Sequence, residues 1–201
     1  MRYTGPKAKK ARRLGQAFTQ KQAKVMQRRP GAPGVHGQSR SRLSEYGMQL
    51  REKQKAKLAY GLMEKQFSSL YEKALRKSGV TGDNLIKLLE TRLDNVVYRL
   101  GFAETRAQAR QLVSHGFFAV NGKKTDIPSF HVKVGDIVSV RENKQKSAYM
   151  EKQKEKLKAH KPQEWVTLDI AKMSGKLLTE PTPEMVENII NTQLIVEHYS
   201  R

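Results

Sequence analysis

RLDNVVYRLGFAETRAQARQLVSHGFFAVNG, residues 92–122, holds two short helical patterns that run into a hairpin turn. Leu93, Val96, Val97 and Leu100 fall at i, i+3, i+4 and i+7, one apolar stripe along the first helix. Gly101 stops that helix. Thr105 stands at the N-cap of the second, and Gln108 three residues on completes a capping box. Ala109, Leu112 and Val113 make the second stripe, and Gly116 suits the left-handed position just past the helix end. Phe117 to Val120 reads as a strand, and Asn121-Gly122 is the strongest short signal for a type I′ turn.

The faces these stripes leave free carry basic and amide side chains. Arg92 and Arg99 lie on the first helix pattern, and Arg106 and Arg110 on the second. The last two are one turn apart, where like charges repel by roughly 0.2–0.5 kcal/mol. Neither is expected to have an acidic partner a turn away, apart from Glu104 beside Arg106. Gln111, Ser114 and His115 add donors on the same helix, and Asn121, Gly122 and Lys123 form the hairpin tip beside Lys124. Such a face is either ordinary solvated surface or a contact for a polyanion, which would reverse the sign of the repulsion.

The charge of the whole chain favours the polyanion. Its 201 residues hold 39 Lys and Arg against 19 Asp and Glu, a net charge of +20. Residues 1–57 contribute +14 of this and the remaining 144 residues only +6. That asymmetry is an electrostatic footprint for nucleic acid. No stretch approaches the roughly 18 apolar residues of a spanning helix, and the N-terminus lacks the apolar centre of a signal peptide. A cytoplasmic protein with no membrane partner and no self-association is expected.

With no cysteine, disulfides and thiolate metal sites are excluded. His36, His115, His131, His160 and His198 do not pair at i, i+3 or i+4, so no metal and no cofactor is expected. There is no phosphate-binding loop, no G-x-G-x-x-G opening a helix and no nucleophile elbow, so the reading is a binding protein without catalytic residues.

Along the chain, residues 1–43 read as a basic, partly disordered arm of charge +12, broken by Gly5, Pro6, Pro30, Gly31, Pro33, Gly34 and Gly37. Its candidate contacts are Arg2, Tyr3, Lys7, Lys10, Arg12, Arg13, Arg28, Arg29 and His36. Residues 44–91 read as a helical subdomain, with Ser44 capping a helix that carries Arg51, Lys53 and Lys55. A stripe from Leu58 to Leu75 follows, then Gly79 and Gly82 as breaks and Asp83 as the cap of a third helix. Residues 92–155 form the binding module, with a further strand at Ile137–Val140. Residues 144–161 read as a solvated Lys/Glu-rich connector, and 156–179 as its end plus a short β segment turning at Gly175. Pro183 opens a short helix through Ile190, and residues 180–201 return through Leu194-Ile195-Val196 to the helical subdomain. The fold class is therefore α+β: a mostly helical subdomain with a basic arm and an inserted two-helix, β-hairpin module.

At this level of detail the chain resembles the bacterial small-subunit ribosomal protein S-four family. RLDNVVYRLGF (92–102), TRAQARQLVSHG (105–116) and VNGK (120–123) resemble its RNA-binding module. Arg2-Tyr3 with Gly5-Pro6, PGAPGVHG (30–37), LSEYGMQLREKQK (43–55) and LIVEHYSR (194–201) resemble the parts outside it. The resemblance implies direct binding of small-subunit (16S) rRNA early in assembly, near a helix junction in its 5′ region. It also implies S-five and S-twelve as neighbours and a part in decoding accuracy. Many members hold zinc on four arm cysteines that this chain lacks, and Val35 stands where P-G-Q-H-G is commoner. Two other readings fit parts of the pattern: a helix-turn-helix DNA-binding protein, and an RNA-modifying enzyme such as a pseudouridine synthase carrying the same module.

Overall fold

In chain order the helices are α1 (Lys7–Leu14), α2 (Gln20–Arg28), α3 (Glu45–Ala59), α4 (Glu64–Leu75), α5 (Thr81–Glu90), α6 (Leu93–Arg99), α7 (Arg106–Ser114), α8 (Glu142–Gln145), α9 (Ala148–Ala159) and α10 (Thr192–Tyr199). The strands are β1 (Phe118–Val120), β2 (Lys123–Lys124), β3 (Ile137–Val140), β4 (Val166–Asp169) and β5 (Ser174–Leu177). These come from a computed structural model that describes residues 3–38, 42–186 and 190–200. The chain divides into two units, residues 1–82 with 188–201, and residues 83–187.

In the first unit, the stretch read as an arm carries α1 and α2. Few apolar residues are needed because polar side chains satisfy the helix ends and tie the segment down. Thr19 Oγ1 accepts from the Gln22 amide at 3.3 Å, and Gln22 Oε1 accepts from the Phe18 amide at 2.8 Å. Arg12 Nε donates to the Gly31 carbonyl at 3.1 Å, and an Arg51 Nη donates to the Leu14 carbonyl at 3.0 Å. Ala11 and Gln22 are buried. Ser44 caps α3, its hydroxyl accepting from the Gly47 amide at 3.2 Å. Helix α10 packs along α3, with Ile195 fully buried and Tyr199 stacked on Tyr71 at a centroid distance of 4.4 Å. Three local readings change here. Leu75 is exposed at the end of α4. Gly82 lies inside α5, where a Cβ would stand 2.7 Å from Thr192 Oγ1. Asp83 sits in the first turn of α5 and does not cap it.

In the second unit, the free amides opening α6 are satisfied from a loop: Leu93 N–H donates to Phe130 O at 2.8 Å and Asp94 N–H to Pro128 O at 3.2 Å. Thr105 caps α7 through its hydroxyl, which accepts from the Gln108 amide at 3.2 Å. Gln108 Oε1 accepts from the Glu104 amide, one residue before the position a capping box would use. Asn121 and Gly122 have φ of 49° and 79°, the two left-handed residues of a type I′ turn. The Asn121 amide is itself tied into the fold, donating to Asp136 Oδ1 at 2.8 Å and accepting from the Ile137 amide at 2.9 Å.

The sheet is antiparallel with order β2-β1-β3-β5-β4. Residues 156–179 are thus no separate connector, because β5 pairs with β3 (Val138 opposite Gly175) and extends the module's own sheet. Gly175 is mid-strand, not a turn. Leu100 lies so close that a Cβ there would stand 2.3 Å from its Cδ2. Helix α9 is not a solvated connector either. Met150, Gln153 and Leu157, at i, i+3 and i+7, are buried, and Met150 and Leu157 belong to a core with Val97, Leu100, Phe102, Val113, Phe118, Val138 and Trp165. Gln153 donates to Gly101 O at 2.6 Å and Tyr149 to Phe102 O at 3.0 Å. Burial, then the charge of Glu104, pushes the Tyr149 hydroxyl up to about 12. Leu112 is only partly buried on this core. Pro183 opens a single 3-10 turn to Met185; residues 187–189 of the expected helix lie outside the described residues.

If α9 is core, Leu157→Ala should cost about 2–5 kcal/mol, whereas Lys154→Ala should stay within about ±0.5 kcal/mol. Urea midpoints of the two variants against the parent protein check this; equal midpoints would return α9 to the solvent.

Candidate nucleic-acid interface

Where α5, α6 and α7 meet, four arginines share two carboxylates. Glu90, the last residue of α5, has no exposed side-chain surface and receives Arg99 in a two-point pair, Nε to Oε2 and an Nη to Oε1, both at 2.9 Å. Arg92 grips Asp94 the same way, at 3.0 and 2.8 Å. Each carboxylate then faces one more arginine from α7, across a longer gap. Arg106 stands 3.7 Å from Glu90 and Arg110 3.8 Å from Asp94. Arg106 Nε also donates to Asn95 Oδ1 at 2.7 Å, and its guanidinium lies 4.6 Å from the centroid of Tyr98.

This geometry sorts the expected contacts. Arg92 and Arg99 are buried and fully engaged with carboxylates, so both are structural and are withdrawn as contacts. Arg106 and Arg110 do have acidic partners, contrary to the reading from spacing, because the acids arrive from α5 and α6 and not from their own helix. They keep 14% and 17% of their side-chain surface exposed. In these ion pairs four guanidiniums face two carboxylates.

Farther along α7, Ser114 and His115 are exposed and Gln111 is half-buried. Ser114 Oγ donates to Arg110 O at 3.0 Å, and the Gln111 amide nitrogen lies 2.6 Å from His115 Nε2. Gly122 and Lys123 are exposed at the hairpin tip, while the Asn121 side chain is spent on the turn. Lys124 pairs with Asp126 at 3.5 Å, and its chain together with Arg141 closes around Gly116, whose carbonyl accepts from Arg141 at 3.0 Å. Arg141 and Lys144, the latter 5.3 Å from the Phe117 ring, went unnoticed in the sequence because they follow a strand 20 residues downstream of the motif. Asp94 and Asn95 were also missed. An acid in the first turn of a helix is ordinary there, and only the tertiary packing aims them at α7.

In the first unit, Lys10, Arg13, Arg28, Arg29, His36 and Arg51 are exposed, and Lys7, Arg12 and Lys55 half-buried; Arg2 lies outside the described residues. Lys10 lies over one face of the Tyr3 ring, its Nζ 3.5 Å from the centroid. Lys55 pairs with Glu52 at 3.1 Å. Lys53 is buried, 2.9 Å from Glu64, and is therefore structural. Burial works to raise the Glu64 carboxyl, but hydrogen bonds and charge from Lys57 and Lys53 overrule it and bring it from 4.5 to about 2. The Tyr199 hydroxyl, which donates to Glu64 Oε1 at 3.1 Å, is pushed upward by burial and by that same carboxylate.

Among the described residues, no helix is long and apolar enough to cross a membrane, and no group of three or more His, Asp or Glu is placed to hold a metal. A family model described as "Ribosomal protein S4/S9 N-terminal domain" matches residues 2–90, and one described as "S4 domain" matches residues 91–138. The "Small ribosomal subunit protein uS4" of Chloroflexus aurantiacus is 52% identical over 204 residues, covering 100% of this chain and 99% of its own. Proteins of the same name from Syntrophomonas wolfei and Chlorobaculum tepidum are each 49% identical with the same coverage. The fold and its charged face thus define an S4-domain protein of the α+β class. More narrowly, the chain belongs to the uS4 family of small ribosomal subunit proteins, a family of ribosomal proteins and not of enzymes.

Two outcomes follow from the ion pairs. Arg99→Ala strands the Glu90 charge in the interior and should cost about 3–5 kcal/mol in denaturant melts, far more than an exposed Arg13→Ala. For Glu64 the folded pKa lies below the unfolded one. Its contribution to stability is therefore whole above about pH 4.5 and lost as pH falls toward 2. Glu64→Gln should be less stable than the parent at neutral pH, with the difference closing across that window. Urea midpoints measured from pH 7 to pH 2 read it directly; a difference that stays constant would break the assignment.

Proposed function

We propose that this chain is a structural constituent of the small ribosomal subunit that binds 16S rRNA directly and early, and so nucleates assembly of the subunit body. The observation that carries the reading is the cationic α6–α7 face: two arginines of α7 stand 3.7 and 3.8 Å from carboxylates that Arg99 and Arg92 already grip, and they keep part of their surface exposed to face a phosphate chain. Arg106 and Arg110 are one helical turn apart, about 6 Å along the axis, comparable to the step between successive phosphates of one strand. Guanidinium groups suit this task because they bridge phosphate oxygens at two points. Double-stranded RNA hides its base edges in a narrow groove, so recognition runs through backbone geometry and junction shape.

The exposed basic residues of α1, α2 and the hairpin are further candidate RNA contacts, and residues 1–43, 44–91 with 180–201, and 92–155 serve as arm, helical subdomain and binding module, the sheet of the last completed by the strands within 156–179. Family membership supports a place in the cytoplasmic ribosome beside S-five and S-twelve and a contribution to translational accuracy. The DNA-binding and RNA-modifying alternatives are not favoured, since the relatives carry ribosomal names.

Footprinting of 16S rRNA with the purified protein tests the reading, with duplex DNA as the competing ligand. The logarithm of affinity should fall against the logarithm of salt with a slope of magnitude about 4 or more, at roughly 0.7–0.9 per neutralised phosphate. Arg106→Ala with Arg110→Ala should weaken binding by about 2 kcal/mol or more. Because both side chains have internal partners, the pair should also cost some stability. Affinity is therefore counted per folded molecule. Unchanged affinity, or equal affinity for duplex DNA, would overturn the reading.

A further inference from the structure

The RNA reading names Arg106 as a contact; the structure also contains the device that aims it. Asn95 on α6 donates through Nδ2 to two oxygens of Glu90, the carboxylate Oε2 at 2.6 Å and the backbone carbonyl at 3.0 Å. Glu90 is itself held by the two-point pair with Arg99 and has nowhere to move. With its NH2 group committed to two acceptors, the Asn95 amide has one orientation, since a flip would set oxygen against oxygen. Its Oδ1 therefore faces α7 and accepts from Arg106 Nε at 2.7 Å. The Tyr98 ring supplies a flat wall for the same guanidinium, 4.6 Å from its centroid.

We infer that Asn95, set by Glu90 and assisted by Tyr98, is a positioning residue that fixes the Arg106 guanidinium before RNA arrives. This inference rests on the assignment of Arg106 as an RNA contact. An arginine on a free stem loses rotamer entropy when it meets a phosphate. One already locked by a neutral amide and an aromatic wall loses little, and it keeps its full charge because Asn95 carries none. A closer carboxylate in place of Asn95 would hold the guanidinium equally well but cancel the charge that RNA needs. The longer 3.7 Å separation from Glu90 fits the same division of labour, in which the amide orients and the carboxylate anchors at a distance.

The test is a double-mutant cycle on binding of the full chain to a transcript of 16S rRNA, with affinity counted per folded molecule. Arg106→Ala should weaken binding about tenfold or more and lower the magnitude of the salt slope by about 0.7–1. Asn95→Ala should weaken binding by about three- to tenfold with the salt slope unchanged, because no charge is removed. A purely structural lesion would not give that combination with intact folding. The double variant should bind like Arg106→Ala alone, within about twofold, because Asn95 acts only through Arg106. If Asn95→Ala does not fold, Tyr98→Leu, which keeps an apolar group but removes the aromatic wall, takes its place in the same cycle. Parent-like binding by Asn95→Ala (or Tyr98→Leu) beside a weakened Arg106→Ala, or additive losses in the double variant, would overturn the positioning role and leave the RNA reading standing. Parent-like binding by Arg106→Ala itself would overturn the RNA contact at this residue, and the inference with it.

Discussion

A single carboxylate, Glu90, holds the centre of this protein's charged face together. It is fully buried at the end of α5, bound at two points by Arg99 and approached by Asn95 and Arg106. Three consecutive helices are thereby referred to one fixed negative charge. Taking such a charge out of water is expensive, and the cost is offset only when several donors surround it in good geometry. That requirement makes the local arrangement of α5, α6 and α7 specific as well as stable. Asp94 repeats the design with Arg92 and Arg110, so the α6–α7 face is built on two such anchors.

Having more arginines than carboxylates is what separates this cluster from ordinary structural ion pairing. In a closed network the charges balance, and the surface offers nothing to an anion. Here the inner arginine of each pair grips its acid at two points, and the outer one stands farther off, at 3.7 and 3.8 Å, where the attraction persists. The outer pair, both on α7, remains partly exposed. Like-charge repulsion between neighbours on a helix is worth only a few tenths of a kilocalorie, so buried acids nearby tolerate it easily.

The surrounding scaffold is larger than a two-helix and hairpin motif. Helix α9 seals the core through Met150 and Leu157, and its Gln153 and Tyr149 hold the backbone at Gly101 and Phe102, the turn that sets α7 against α6. Strands β4 and β5 then widen the sheet past β3, with Gly175 accommodating Leu100. The position of the arginine pair is therefore set in part by α9, β4 and β5, far downstream in the chain.

Much of this was legible in the sequence because it is local. Stripes at helical spacing, Ser44 and Thr105 as caps, Gly101 and Gly116 as stops, and Asn121-Gly122 as a type I′ turn all depend on neighbours within a few residues. The strand at Ile137–Val140 and the basic excess read equally well. What did not read was anything set by long-range geometry. The Lys/Glu composition of α9 outweighed its sparse apolar stripe, since a helix that buries one narrow face looks solvated in sequence. Gly82 and Gly175 looked like breaks because close approach of Thr192 and Leu100 leaves no local trace. Arg92 and Arg99 looked identical to Arg106 and Arg110 until packing decided which guanidiniums the buried carboxylates would take. The amino-acid order by itself determined the two helices and hairpin of the central module and that the chain is a cation seeking a polyanion. Only the tertiary structure decided which arginines are buried and which remain partly exposed, because a carboxylate selects its partner by distance and desolvation, neither of which exists along a linear chain.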